Sequence, residues 1–132
     1  MNSMKTIKMY CKTCNVKLTD ELKEIHESLL NFNAYGESAI AKNKFSVHTE
    51  NGSKELIVAI DIYFLKNHKD RLRFTGCCGS SGSDGMNKTC VNGHEVATEV
   101  SDCYTPHYIG FNLKKVIIKE VKDDYNLRTI II

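Results

Sequence analysis

No stretch of this 132-residue chain approaches the length of apolar sequence that crosses a membrane. The start, Met1-Asn-Ser-Met-Lys-Thr-Ile-Lys-Met-Tyr10, carries lysines but lacks the run of about 7 to 15 apolar residues that marks a secretory signal. A cytoplasmic location, with no membrane partner, is therefore expected. A charge excess is missing too: 18 basic residues against 16 acidic ones leave +2, with the lysines scattered and no basic stripe. That balance argues against nucleic acid, whose binders carry a domain-wide basic excess. No serine, histidine and acid arrangement is visible, and no phosphate-cradling glycine loop leads into a helix, so the expectation is a protein that is not an enzyme. What remains is ordinary for a globular protein, with 42% hydrophobic and 26% charged residues. A single domain spanning residues 1–132 with one main core fits that length.

Cysteine is what the chain has in quantity: Cys11 and Cys14 near the start, then Cys77, Cys78, Cys90 and Cys103. In a reducing compartment such thiols are metal ligands or free cysteines rather than a disulfide framework, although an even count would suit disulfides in an exported protein. Cys11-Lys-Thr-Cys14 sets two sulfurs on one tight turn, where both reach a single ion, and Lys8 and Lys12 favour the ionised form. A redox role for this pair needs a helix starting at the turn, and the expected helix starts too late. A tetrahedral site then needs two further ligands. Adjacent cysteines on extended backbone point different ways, so one of Cys77 and Cys78 is expected to bind. The expected zinc ligands are Cys11, Cys14, Cys78 and Cys90, with Cys77 and Cys103 as substitutes and His94 close by.

The pattern along the chain predicts an α+β domain. Thr6 to Tyr10 reads as a short strand. Leu18, Leu22, Ile25, Leu29 and Leu30 fall at helical spacing with Asp20, Glu21, Lys23, Glu24 and Glu27 opposite, which predicts one N-terminal amphipathic helix ending near Asn31 and capped by Thr19 or Asp20. Phe45, Val47 and Thr49 alternate, Asn51-Gly52 supplies a tight turn, and Leu56 to Phe64 alternates again, predicting a hairpin whose second strand is central and covered by that helix. Leu72 with Phe74, His94 to Val100, Tyr104 to Phe111, Val116 to Val121 and Leu127 to Ile132 read as further strands, the last two joined by a charged turn at Lys122-Asp123-Asp124. The expected product is a mostly antiparallel sheet of about six short strands with one helix and a zinc-ribbon-like cysteine site. Between them, residues 76–85 hold four glycines and three serines in ten positions, a loop whose ordering costs enough entropy that something must pin it. The flanking cysteines, through a metal, are the expected pin.

Two further groups of residues carry candidate roles. His94 and His107 are candidate ligands or proton carriers, and with Cys103 they would make up a metal or thiol enzyme, against the plainer reading of polar loop histidines. Asp84, Glu95, Glu99 and Asp102 make the distal region acidic, either a solvated strand face or a surface for a basic partner.

The blocks Met9-Tyr-Cys-Lys-Thr-Cys14, Leu18-Thr-Asp-Glu-Leu22, Gly76-Cys-Cys-Gly79, Asp84-Gly85, Asn87, Cys90, Asn92-Gly-His-Glu95, Thr98-Glu99, Ser101-Asp-Cys103 and Thr105-Pro-His107 resemble a group of small bacterial cysteine-rich proteins. The resemblance covers both cysteine-bearing ends, covers residues 32–70 poorly, and departs in a longer C-terminal run from Lys119 to Ile132. It implies a zinc-stabilised immunity protein of a polymorphic or contact-dependent toxin system. Its partner would be a cognate toxin domain, commonly a nuclease, neutralised by covering the active site, with Asp84, Glu95, Glu99 and Asp102 as candidate contacts. The alternative class is a zinc-ribbon module that contacts nucleic acid through Lys5, Lys8, Lys12 and Lys17.

Overall fold

The computed structural model describes residues 4–123 and 126–132. Its strands, in chain order, are β1 (Thr6–Cys11), β2 (Leu22–Glu24), β3 (Lys44–Glu50), β4 (Ser53–Val58), β5 (Lys66–Asn67), β6 (Lys88–Thr89), β7 (Glu95–Val100), β8 (Tyr108–Asn112), β9 (Val116–Val121) and β10 (Leu127–Ile130). All ten belong to one sheet, ordered β10-β9-β1-β2-β3-β4-β8-β7-β6-β5 and curled into a half-barrel. Neighbours are antiparallel except β2 and β3, which run parallel. Asp124 of the expected charged turn lies outside the described residues.

The α+β expectation is overturned: strand accounts for 39% and helix for 6%, and no helix of seven residues or more is found among the described residues. Where the amphipathic helix was expected, the chain instead forms β2 and a single 3-10 turn at Glu27–Leu29. The apolar residues there keep their burial but serve different partners. Leu18 and Leu22 join the main core with Ile7 and Met9, whereas Ile25 and Leu30 pack on the opposite side of the sheet against Ile40, Ile57 and Ala59. One helical face cannot serve both sides. The expected cap Thr19 is buried, its Oγ1 accepting the Met9 N–H at 3.3 Å. A helix of that length is marginal by itself in water, and backbone pairing of Lys23 with Thr6 and Lys44 closes the gap between β1 and β3.

The hairpin lies at the expected turn. Phe45 faces Val58 and Glu50 faces Ser53 across β3 and β4, leaving Asn51 (φ 51°) and Gly52 (φ 81°) as a two-residue loop. Positive φ at both positions is what that turn demands and what Asn-Gly tolerates. The second strand ends earlier than expected, at Val58, and Ile62 is 97% exposed. It is central, between β3 and β8, but its outer face is covered by Ile25, Leu30 and Phe32 of the irregular segment before β3 rather than by a helix. The expected strand at Leu72 and Phe74 is a second 3-10 turn, Arg71–Phe74, begun by the Asp70 carboxylate accepting the Leu72 N–H.

The concave face follows the period-two rule: Ile7, Met9 and Cys11 of β1, Leu56 and Val58 of β4, Ile109 and Phe111 of β8, and Val116 and Ile118 of β9 point into one cluster. Ile130 and Ile132 pack at its margin from β10 and beyond, while Ile131 is solvent-facing.

Candidate metal centre

β1 and β7 are separated by four strands in the sheet. A flat sheet at about 4.8 Å per strand would hold them about 24 Å apart. The curl cancels that distance: the end of β1 meets the hairpin joining β6 to β7, and Cys11, Cys14, Cys90 and His94 offer four ligand atoms all within 4.8 Å of one another.

Two tight turns of similar design present them. In the first, Cys11 N–H donates to Val16 O (2.8 Å), Asn15 N–H donates to Cys11 O (2.7 Å), and Asn15 takes the left-handed conformation at φ 65°. In the second, Cys90 N–H donates to His94 O (2.9 Å), Gly93 N–H donates to Cys90 O (3.0 Å), and Gly93 sits at φ 87°. Each turn thus reverses around a residue that accepts positive φ, glycine freely and asparagine with little penalty.

The spacing suits an ion. Tetrahedral zinc with bonds of about 2.3 Å to sulfur and about 2.0 Å to nitrogen sets S···S at about 3.8 Å and S···N at about 3.5 Å. Here Cys14 Sγ lies 3.7 Å from Cys90 Sγ, and His94 Nδ1 lies 3.3 Å from Cys90 Sγ and 3.9 Å from Cys11 Sγ. A second layer orients these sulfurs: Asn92 donates its N–H to Cys90 Sγ (3.4 Å) and its Nδ2 to Cys14 Sγ (3.3 Å). The Asn92 side chain, then the Val16 N–H, lower the Cys14 thiol to about 6. Burial pushes Cys11 the other way. Cys11 and Cys90 are fully buried and Cys14 and His94 partly so, which places the group at the rim of the core.

Three of the four expected ligands, Cys11, Cys14 and Cys90, are brought together; Cys78 is not. His94 takes the fourth position, and Cys78 is joined to Cys103 in a disulfide with Cα atoms 5.5 Å apart, with Cys77 a free, exposed neighbour. The signal for His94 was its place four residues after Cys90, behind the Asn-Gly pair that turns the chain.

The glycine-rich loop is pinned by protein groups. Asp102, 6% exposed, accepts the N–H groups of Cys77 (3.1 Å), Cys78 (3.0 Å) and Cys103 (2.7 Å). Those bonds, the one from Cys78 first, hold its carboxyl below the usual range. Asp102 is thus committed inward rather than offered to a partner. Replacing it by Ala should free the loop: amide exchange at Cys77 and Cys78 is expected to rise by at least tenfold while β3 and β4 keep their protection, and equal protection in the variant would refute the assignment.

The other expected acidic contacts are also engaged within the chain. Glu95 accepts from Arg73 Nη1 (2.8 Å) and lies 3.1 Å from His68 Nε2. Glu99 pairs with Lys88 (3.2 Å), and Asp84 accepts the Thr75 N–H (2.9 Å). The enzyme-like trio is dispersed: His94 stands with the cysteines above, Cys103 is bridged to Cys78, and His107 Nε2 donates to the Asp102 carbonyl (3.0 Å).

No helix among the described residues is long and apolar enough to cross a membrane. Comparison with known protein families, with curated proteins and with solved structures gives no match to this chain.

Proposed function

We propose that this is a zinc-stabilised binding protein of the cytoplasm that neutralises a cognate bacterial toxin domain by covering its active site. The observation behind the zinc is the closed donor set, three sulfurs and one ring nitrogen within 4.8 Å of one another. Four protein donors leave no open position for a substrate or water, which is the character of a structural rather than a catalytic ion. When bound, the ion supplies cross-linking between β1 and the β6–β7 hairpin; it takes no part in bond-making.

The immunity role rests on the sequence blocks that resemble such proteins, and occlusion needs only a rigid surface. The acids Glu95 and Glu99 are neutralised by Arg73 and Lys88, which argues against charge as the main attraction. Tyr35 (66% exposed) and Tyr104 (72%) are better anchors, because Gly36 N–H donates to Thr105 O and so sets their two segments side by side. Exposed tyrosines combine apolar area with a hydrogen-bonding tip, the usual make-up of an interface hot spot.

The test is calorimetry against the product of the adjacent gene. Tight one-to-one binding, weakened at least tenfold in Tyr35→Ala or Tyr104→Ala and changing little with salt, is the expected result. No binding would end the immunity reading while leaving the zinc site untouched.

A further inference from the structure

A second group of sulfurs lies apart from the four-ligand centre: Cys77, Cys78 and Cys103 place their Sγ atoms within 4.8 Å of one another, two of the residues exposed and one half-buried. We propose that these three form a second metal site, a three-thiolate pocket for a soft ion of the Cu(I) class, which exists only while the Cys78–Cys103 disulfide is open.

The fold builds this cluster from the backbone outward. Residues 76–79 bend, so the adjacent cysteines are not splayed as they would be on a strand. The bend requires both flanking glycines. A Cβ on Gly76 would overlap the Gly79 carbonyl oxygen, and one on Gly79 would come within 2.5 Å of the Ser101 carbonyl oxygen. Asp102 then gathers the backbones of all three cysteines on one carboxylate. Its hydrogen bonds run to main-chain N–H groups, not to sulfur, so they hold the three residues whether or not two of the sulfurs are bonded. Those N–H groups also offset the carboxylate charge that would otherwise oppose thiolates nearby.

Donor chemistry selects the ion. The group offers three sulfurs and no histidine or carboxylate oxygen. Zinc prefers four donors in a closed site, whereas soft thiolates favour Cu(I). Opening the site consumes two equivalents of a small-molecule thiol. One attacks the disulfide to form a mixed disulfide and release one cysteine thiol; the second displaces the other cysteine, leaving the small molecule as its own disulfide. Both protein sulfurs take up their protons from the small-molecule thiols, and these two protons together with that of the Cys77 thiol leave to solvent as Cu(I) binds. Exchange with the small-molecule disulfide reverses this: it re-forms the Cys78–Cys103 bond, returns two small-molecule thiols and expels the ion, so occupancy reports the thiol-disulfide balance of the compartment. Nothing in this chemistry depends on the toxin partner.

The measurement is Cu(I) titration of the anaerobically reduced, zinc-loaded full chain against a chromophoric Cu(I) chelator, with zinc followed by elemental analysis. The triple variant Cys77→Ser, Cys78→Ser, Cys103→Ser sets the baseline, and the single variant Cys77→Ser, at an exposed position, guards against a folding defect. The wild-type chain is expected to take up one more Cu(I) than the triple variant, with zinc retained, at least tenfold weaker binding in Cys77→Ser, and no uptake by the disulfide form. Uptake only at the expense of zinc, uptake unchanged in the variants, or uptake indifferent to the disulfide would each overturn the proposal.

Discussion

Stripping the metal from Cys11, Cys14, Cys90 and His94 is expected to unfold the protein rather than merely loosen a loop. The group joins strands that stand far apart in the sheet order, adding to the core packing that the end of β1 and the β6–β7 hairpin share through Cys11 and Cys90. Structural zinc contributes about 10–16 kcal/mol of apparent binding free energy, as large as the whole stability of about 5–15 kcal/mol of an ordinary domain. Purified protein should carry one equivalent of zinc, and a strong chelator should abolish the cooperative thermal transition. Cys90→Ser, at a fully buried ligand, should carry none and fail to fold. Cys78→Ser should keep its zinc and fold normally, because that sulfur belongs to the other cluster. If Cys78→Ser lost the zinc and Cys90→Ser kept it, the ligand set would be wrong.

The next largest effect is expected at Asn87, fully buried between the glycine-rich loop and β7. Its Nδ2 donates to Ser80 Oγ (2.9 Å), Glu99 O (3.1 Å) and Arg73 O (3.3 Å), and its Oδ1 accepts the Glu99 N–H (2.6 Å). Alanine there leaves a buried N–H without an acceptor and two carbonyls without a donor. At about 1–3 kcal/mol for each buried group left unpaired, the loss should reach about 3–5 kcal/mol. Asn87→Asp should cost more, since it turns a carboxylate oxygen toward three acceptors. A urea midpoint lowered by about 2 M is the expected reading for Asn87→Ala. A shift below about 0.5 M would mean that the network is not what holds the loop.

Asn87 also illustrates how much could be read in advance. It stood in the sequence as a mark of resemblance with no role attached, because an asparagine's side chain serves four partners only once a fold supplies them. The same holds for Asp102, read as a surface acid and found to be an internal staple. The helix expected over Leu18 to Leu30 failed for a related reason: helical spacing says which residues are apolar, not whether they face one surface or two. By contrast, strands β1 and β9 and the β3–β4 hairpin were legible, because alternation and the Asn-Gly turn are local signals.

By itself the sequence determined the local geometry: the Cys11–Cys14 turn and the left-handed positions at Asn51-Gly52. Those follow from sterics within a few residues and need no distant partner. Which sulfurs meet was decided only by the tertiary structure. The curl of ten strands brings Cys90 and His94 to Cys11 and Cys14 and sends Cys78 to Cys103 instead. Spacing along the chain pairs Cys11 with Cys14 and Cys90 with His94 but does not say that the two pairs meet, because distance across a curled sheet is set by strand order and core packing.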